Sequence, residues 1–276
     1  AMRDQDLAQG FFSETWQAMI EMGWTGLVVP ETYGGAGLGY QTLGLVLEQL
    51  GRNLVASPLY ASSVVGAAAL MHSGSEDQKQ ALLPKIADGG RLVVLALEEG
   101  PRHNPSQIKC RAKLTSSGVT LSGTKQFVME GNAATDFVVA ANVDHGAGEQ
   151  GVGLFLVACD TPGVRRHAVK TMDSRGYASV TFDDVALDLE AMLAGPDTGQ
   201  AVLEAVLDVA TAALAAEMLG TAAAAFDMTL DYLKTRKQFG QVIGGFQALG
   251  HRAAGLYSEM ELTRSCVEEA LAALDN

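Results

Sequence analysis

From Leu203 to Leu230, small and apolar side chains recur at mostly three- and four-residue steps: Leu203, Val206, Leu207, Ala210, Leu214, Met218, Thr221, Ala225 and Leu230. That is the period of an α-helix. A run this long predicts one helix from about Gln200 to Gly240, packed closely through its small side chains. Upstream the period changes. Leu92–Leu97, Val119–Gly123, Asp136–Val143, Gly153–Cys159 and Ser179–Val185 are short, β-branched runs separated by Gly, Ser and Asp, the pattern of an antiparallel β domain, most simply a barrel or sandwich. Earlier still, from Ser13 to Gly89, the chain reads as helical. Ser13 is expected to N-cap a helix closed by Gly23. Leu43, Val46, Leu47 and Leu50 form an apolar stripe that ends near Gly51. Ser75, with Glu76 and Asp77, opens a further helix that Pro84 should stop or bend. Another helix is expected to start near Phe246, so the order is helices, strands, helices and the class is α+β.

Composition excludes several functions. With 276 residues and 48% hydrophobic content, the chain can bury one large core or two to three smaller ones. A formal charge of −13 and the lack of any Lys/Arg block argue against binding to nucleic-acid phosphates. No apolar run is long enough to span a bilayer, since stretches such as Val64–Met71 are broken by glycine and small residues, and no signal-peptide pattern opens the chain. The three cysteines, Cys110, Cys159 and Cys266, lie far apart without a C-x-x-C pair. Disulfide and metal chemistry are therefore not expected, and a reducing cytoplasm is the natural setting. Hydrolase motifs such as G-x-S-x-G and H-E-x-x-H are absent. The glycines from Gly34 to Gly39 do not fit G-x-G-x-x-G and come after Pro30, the wrong context for a nucleotide loop.

Most of the chemistry sits in RKQFG, Arg236–Gly240, and FQALGHR, Phe246–Arg252. A guanidinium can hold a diphosphate through paired hydrogen bonds, and a nearby phenyl ring can stack on a planar base, so the set suits a dinucleotide such as FAD. Taken alone, the same cations at the end of a helix would also offset its dipole, with Gly240 as a stop residue. The segment resembles the fingerprint of the acyl-CoA dehydrogenases. So do GWTGLVVPETYGGAGLG at Gly23–Gly39, EDQKQALLPKIADG at Glu76–Gly89 and SRGYASVTFDDVAL at Ser174–Leu187.

That resemblance implies an N-terminal helical domain over residues 1–90, a central antiparallel β-barrel over 91–192 and a C-terminal helical bundle over 193–276. It also implies further helices before Ala1 and after Asn276, so that the first and last domains are incomplete here. The reaction implied is α,β-dehydrogenation of an acyl-CoA thioester. A carboxylate takes the α-proton, the β-hydrogen leaves as hydride to FAD, and the electrons pass to an electron-transfer flavoprotein. The implied cofactor contacts are Arg236 on the diphosphate, Phe239 on the adenine side and Gln247 at the same end, all reaching a neighbouring subunit's FAD.

Two departures from the family pattern matter. One branch carries its base on the long helix at a site that falls near Ala210, which has no carboxylate. Glu217, two turns on, is the one acid in mid-helix that could take its place. The family's T-E-P-x-A-G-S-D and W-I-T-N stretches, which bond the flavin, correspond to Leu97–Gln107 and Phe127–Glu130. Phe127 could still stack on the ring, but Met129 stands where a threonine would donate, and a lost partner to a buried acceptor costs about 1 to 3 kcal/mol. The chain thus resembles the partner subunit of two-component acyl-CoA dehydrogenases of the pimeloyl-CoA and sterol side-chain types, which completes a site on a larger homologous subunit. A self-sufficient homomeric enzyme with its base further along the chain, and a catalytically silent scaffold, are the alternatives.

Overall fold

A computed structural model describes residues 9–144 and 150–276. The opening eight residues, on which the reading of the N-terminus partly rests, lie outside the described residues. Two compact units emerge, one made of residues up to Gly37 with Ala56–Ala210, the other of Leu38–Val55 with Thr211–Asn276.

The first unit begins with α1 (Ser13–Glu21). Ser13 is its first helical residue and not its cap; Phe12 holds the cap position with no side-chain hydrogen bond. Gly23, at φ 71°, closes the turn as expected. The second unit contributes α2 (Gly39–Arg52), whose stripe buries Leu43, Leu47 and Leu50. Returning to the first unit, a wholly buried π-helix, Leu59–Gly66, runs directly into α3 (Ala67–Ser73). Helix α4 (Glu76–Ala87) starts on a complete capping box between Ser75 and Gln78. Pro84 does not stop this helix but lies inside its last turn, and its carbonyl still accepts from Asp88 N at 3.0 Å.

Strands β1 (Val93–Ala96), β2 (Arg111–Thr115), β3 (Gly118–Val128), β4 (Asp136–Asp144), β5 (Gln150–Ala158), β6 (Val164–Ala168), β7 (Ala178–Leu187) and β8 (Met192–Ala194) form one sheet. The order is β6-β7-β3-β2-β4-β5-β8, with β1 also on β4. This corrects the expected antiparallel barrel: the sheet is mixed and open. β1 and β2 both run parallel to β4, while β5 pairs antiparallel along its whole length. Since β5 takes one edge of β4, β1 and β2 share the other. Closure would require pairing β6, whose side chains are mostly exposed, with the three-residue β8. Alternating hydrophobicity reports strands but not their closure. Strand β4 is buried from Asp136 through Ala141, as a central strand covered on both faces must be.

Helix α5 (Gly199–Thr235) passes through the residue ranges of both units and ends five residues before Gly240. The chain then turns through a hairpin, β9 (Lys237–Gln238) and β10 (Gln241–Val242), into α6 (Gln247–Leu274). In the second unit α2 crosses α5 at glycines: a Cβ on Gly51 would meet Glu217 O at 1.9 Å, and one on Gly220 would meet Glu48 O at 1.8 Å. Helix α6 is tied to α2 by Arg264, which donates to Glu48 at 2.8 Å. Asp275 accepts from Tyr40 N and Gln41 N at 2.6 and 3.0 Å, capping α2 from the far end of α6. Among the described residues, no helix is long and apolar enough to cross a membrane, and no cluster of His, Cys, Asp and Glu could hold a metal.

Candidate functional site

Within the first unit, the π-helix, the end of β1, the end of β3 and the start of α5 surround a recess of about 180 Å³. Serine placement explains how the π-helix meets the sheet. Ser62 Oγ accepts from Val93 N at 3.0 Å, and a Cβ on Gly66 would lie 2.0 Å from Val93 O, so only glycine permits the approach. Tyr60, from the same helix, donates its phenol to Ala210 O at 2.9 Å. Ala61, Val65, Leu95 and Leu207 supply further apolar wall.

The side facing the sheet comes from the two segments expected to hold a flavin. Phe127 and Met129 both line the recess. Phe127 is 42% exposed and adopts φ 50°, at the point where the β3–β7 register slips between Lys125 and Val128. Such a conformation costs a non-glycine residue free energy that neighbouring contacts must offset. Leu97, Glu98 and His103 complete the rim.

A buried ion pair holds this rim in place. Lys125 is completely buried on β3; its Nζ donates to Glu99 Oε1 at 2.6 Å and to Leu97 O at 3.0 Å. Glu99 also accepts from Cys110 N at 2.9 Å and Lys109 N at 2.7 Å. One carboxylate thus joins both ends of the Leu97–Cys110 segment to the strand carrying Phe127. Burial pushes the Cys110 thiol up to about 11, against the opposing pull of the Lys125 charge. On the outer side of the segment, Glu98 pairs with His103 Nδ1 at 2.6 Å and accepts from Asn104 N at 3.1 Å.

The side chains lining this recess are a poor match for an isoalloxazine, whose polar edge needs donors. Tyr60 has already committed its hydroxyl to Ala210 O, and the only other polar side chains lining the recess are the paired Glu98 and His103.

The second expected site has a different character. Arg236 comes directly after the last residue of α5, and Phe239–Gly240 form the two-residue turn of the hairpin, with Gln241 opposite Gln238 and Val242 opposite Lys237. Both turn residues have positive φ, 52° and 80°, as a type I′ turn requires. The turn lifts the Phe239 ring to 90% exposure, braced edge-on against Phe246 at 6.1 Å. Arg236, Lys237, Gln247 and His251 are also exposed. An exposed cation pair, an aromatic face and an amide thus lie on the surface, groups chemically able to bind phosphates and a planar base. Glu217 is in neither place: it is half-buried in the second unit, at the α2–α5 crossing. The residues that sequence reasoning missed are Tyr60, His103 as a partner of Glu98, and the Lys125–Glu99 pair. A lysine inside a β-branched run was the one available signal for the last.

Comparison with known proteins gives a consistent result. The model of the family "Acyl-CoA dehydrogenase, N-terminal domain" matches residues 1–90, and that of "Acyl-CoA dehydrogenase, C-terminal domain" matches residues 197–276. A mitochondrial 2-methylacyl-CoA dehydrogenase of Solanum tuberosum is 30% identical over 269 residues, covering 95% of this chain. The chain spans 65% of the length of that relative, and of the two isovaleryl-CoA dehydrogenases of rice and Arabidopsis thaliana that resemble it comparably. Among solved structures, a variant of the Tcur3481-Tcur3483 steroid ACAD is 35% identical with a TM-score of 0.85, covering 99% of this chain and 72% of the other. The ChsE4-ChsE5 complex of Mycobacterium tuberculosis is 31% identical with a TM-score of 0.84, covering 97% and 71%. Matched from its first helices to the end of α6, the chain belongs to the acyl-CoA dehydrogenase family, a family of FAD-dependent dehydrogenases.

Proposed function

We propose that this chain is the partner subunit of a heteromeric acyl-CoA dehydrogenase, completing an FAD site whose main flavin contacts lie on a larger homologous subunit. The observation that carries this reading is the asymmetry between its two candidate sites. The outward hairpin gathers exposed cations, an aromatic ring and an amide suited to a dinucleotide's far end, whereas the polar side chains lining the chain's own recess are already paired with protein groups. Kinship with a ChsE4-ChsE5 complex and a two-component steroid ACAD supports it. In this role Arg236 clamps the diphosphate, Phe239 packs on the adenine side and Gln247 orients the same end. Bound FAD supplies the hydride acceptor for α,β-dehydrogenation of an acyl-CoA thioester, from which electrons pass to an electron-transfer flavoprotein. The proton-abstracting carboxylate belongs to the larger subunit. Three unpaired cysteines agree with work in a reducing cytoplasm.

Flavin absorbance tests the proposal directly. The chain purified alone should be colourless, and its complex with the larger homologue yellow. Arg236→Ala should then lower the FAD retained by the complex, since a charge-assisted contact is lost. A yellow chain in isolation would instead favour the self-sufficient homomeric enzyme. Unchanged flavin content in the Arg236→Ala complex would remove the assignment of the hairpin.

A further inference from the structure

Although the recess does not suit a flavin, it is a built site. An exposed segment is pinned at both ends by a fully buried lysine and a carboxylate that takes three donors, and the pair it presents at the mouth is a carboxylate and an imidazole 2.6 Å apart. Glu98 is held in turn by Asn104 N and is 21% exposed at its side chain, while His103 is 69% exposed. In the neutral imidazole, a hydrogen bond from Nδ1 to the Glu98 carboxylate leaves the lone pair on Nε2. That arrangement orients an imidazole as a general base. At 69% exposure the His103 side chain is open to water. Behind it, Ala61, Val65, Leu95 and Leu207 wall a small apolar recess of about 180 Å³. Its only hydroxyl, on Tyr60, is committed to Ala210 O, so water is the available nucleophile.

We propose that Glu98 and His103 form a general-base pair that hydrolyses short acyl thioesters seated in the recess, a non-redox activity distinct from dehydrogenation; the thioester class rests on the family reading above. His103 Nε2 takes a proton from water as the water oxygen bonds to the thioester carbonyl carbon. The tetrahedral adduct collapses with cleavage of the carbon–sulfur bond, and the departing thiolate takes the proton from the imidazolium. A carboxylic acid and a free thiol result, with no change of oxidation state. Glu98 is a positioning residue that fixes the ring and its tautomer.

The test measures free thiol released from hexanoyl-CoA and palmitoyl-CoA by the full chain in complex with its larger homologue, using a thiol-reactive chromogen. Hexanoyl-CoA should be cleaved and palmitoyl-CoA should not. His103→Asn should lower kcat by about 100-fold or more, with thermal melting unchanged because the side chain is largely exposed. Glu98→Gln should lower kcat while leaving KM in place, a split that a merely structural role would not produce, and Glu98→Asp should restore part of it. Absence of thiol release from the folded wild-type complex, or release unaffected by His103→Asn, would overturn the assignment. The colour of the same complex reports separately on the shared-flavin reading, so the two can fail independently.

Discussion

Lys125 shows how one side chain can decide the shape of a site. It is completely buried, and desolvating an ammonium group is tolerable only because Glu99 and Leu97 O receive it. Lys125→Met would leave the 7%-exposed Glu99 side chain without its cationic partner, with only the Lys109 and Cys110 N–H groups to hold it, at a cost of about 3 kcal/mol. Urea denaturation should register that loss, and Lys125→Met combined with Glu99→Leu should recover much of it. Phe239 is the opposite case. Its ring contributes little to the folded chain because it is 90% exposed and touches chiefly Phe246. Phe239→Ala should therefore change stability by no more than about 0.5 kcal/mol, yet lower FAD retention in the proposed complex. A large fall in melting temperature instead would mean that the ring serves this chain's own fold. Arg236 and Phe239 could be singled out from the sequence because a cation and an aromatic next to a helix-ending glycine suggest a chemistry on their own. His103 could not, because its meaning depends on Glu98 five residues earlier and on a loop whose path only Glu99 and Lys125 define.

At the level of elements, the periods of the sequence located α2, α5 and most long strands, since burial of one face or of both leaves a repeating trace. They could not report how elements meet. The parallel docking of β1 and β2 on β4 depends on partners far away in the chain, so a barrel and an open mixed sheet share one pattern. The hairpin after α5 was hidden for a related reason: Gly240 reads equally well as a helix stop and as the second residue of a type I′ turn. Close helix crossing is the clearest case. Gly51 and Gly220 look like ordinary helix-weakening residues, yet each faces a carbonyl oxygen at a distance no Cβ allows. Gly220→Ala should destabilise the second unit by about 1 to 3 kcal/mol, although alanine is the better helix former. A neutral or stabilising effect in a denaturant titration would show that the crossing can spread at no cost. The N-terminus of α2 adds a dependence on pH. Burial, reinforced by the Asp275 carboxylate, raises the Tyr40 phenol to about 12. The folded state therefore holds this proton more tightly than the unfolded chain, whose tyrosine titrates near 10. The contribution is complete below about pH 10 and disappears as pH rises towards 12. Tyr40→Phe should flatten the stability profile across that window.

At the scale of the whole molecule, the three thiols sample the two units at graded depth and turn the architecture into a measurable quantity. Cys266 is exposed in the second unit, Cys159 is partly covered in the first, and Cys110 is buried beneath the Glu99 clamp. Depth is not the only barrier for Cys110. The thiolate is the reactive species, and a thiol raised to about 11 is almost wholly protonated at neutral pH. Alkylation of the native protein should therefore modify Cys266 first and Cys159 more slowly, leaving Cys110 unmodified until the first unit opens. Because α5 is continuous through the residue ranges of both units, melting it removes a wall of the recess and the helix that α2 crosses in a single event. Cys110 labelling, tracked by mass spectrometry across a urea series, should then rise over the same interval in which helical ellipticity is lost. Labelling of Cys110 well before that loss would mean that the sheet and its clamp open while α5 stays intact. The Lys125–Glu99 pair would then be a local latch on the Leu97–Cys110 segment, not part of the cooperative core.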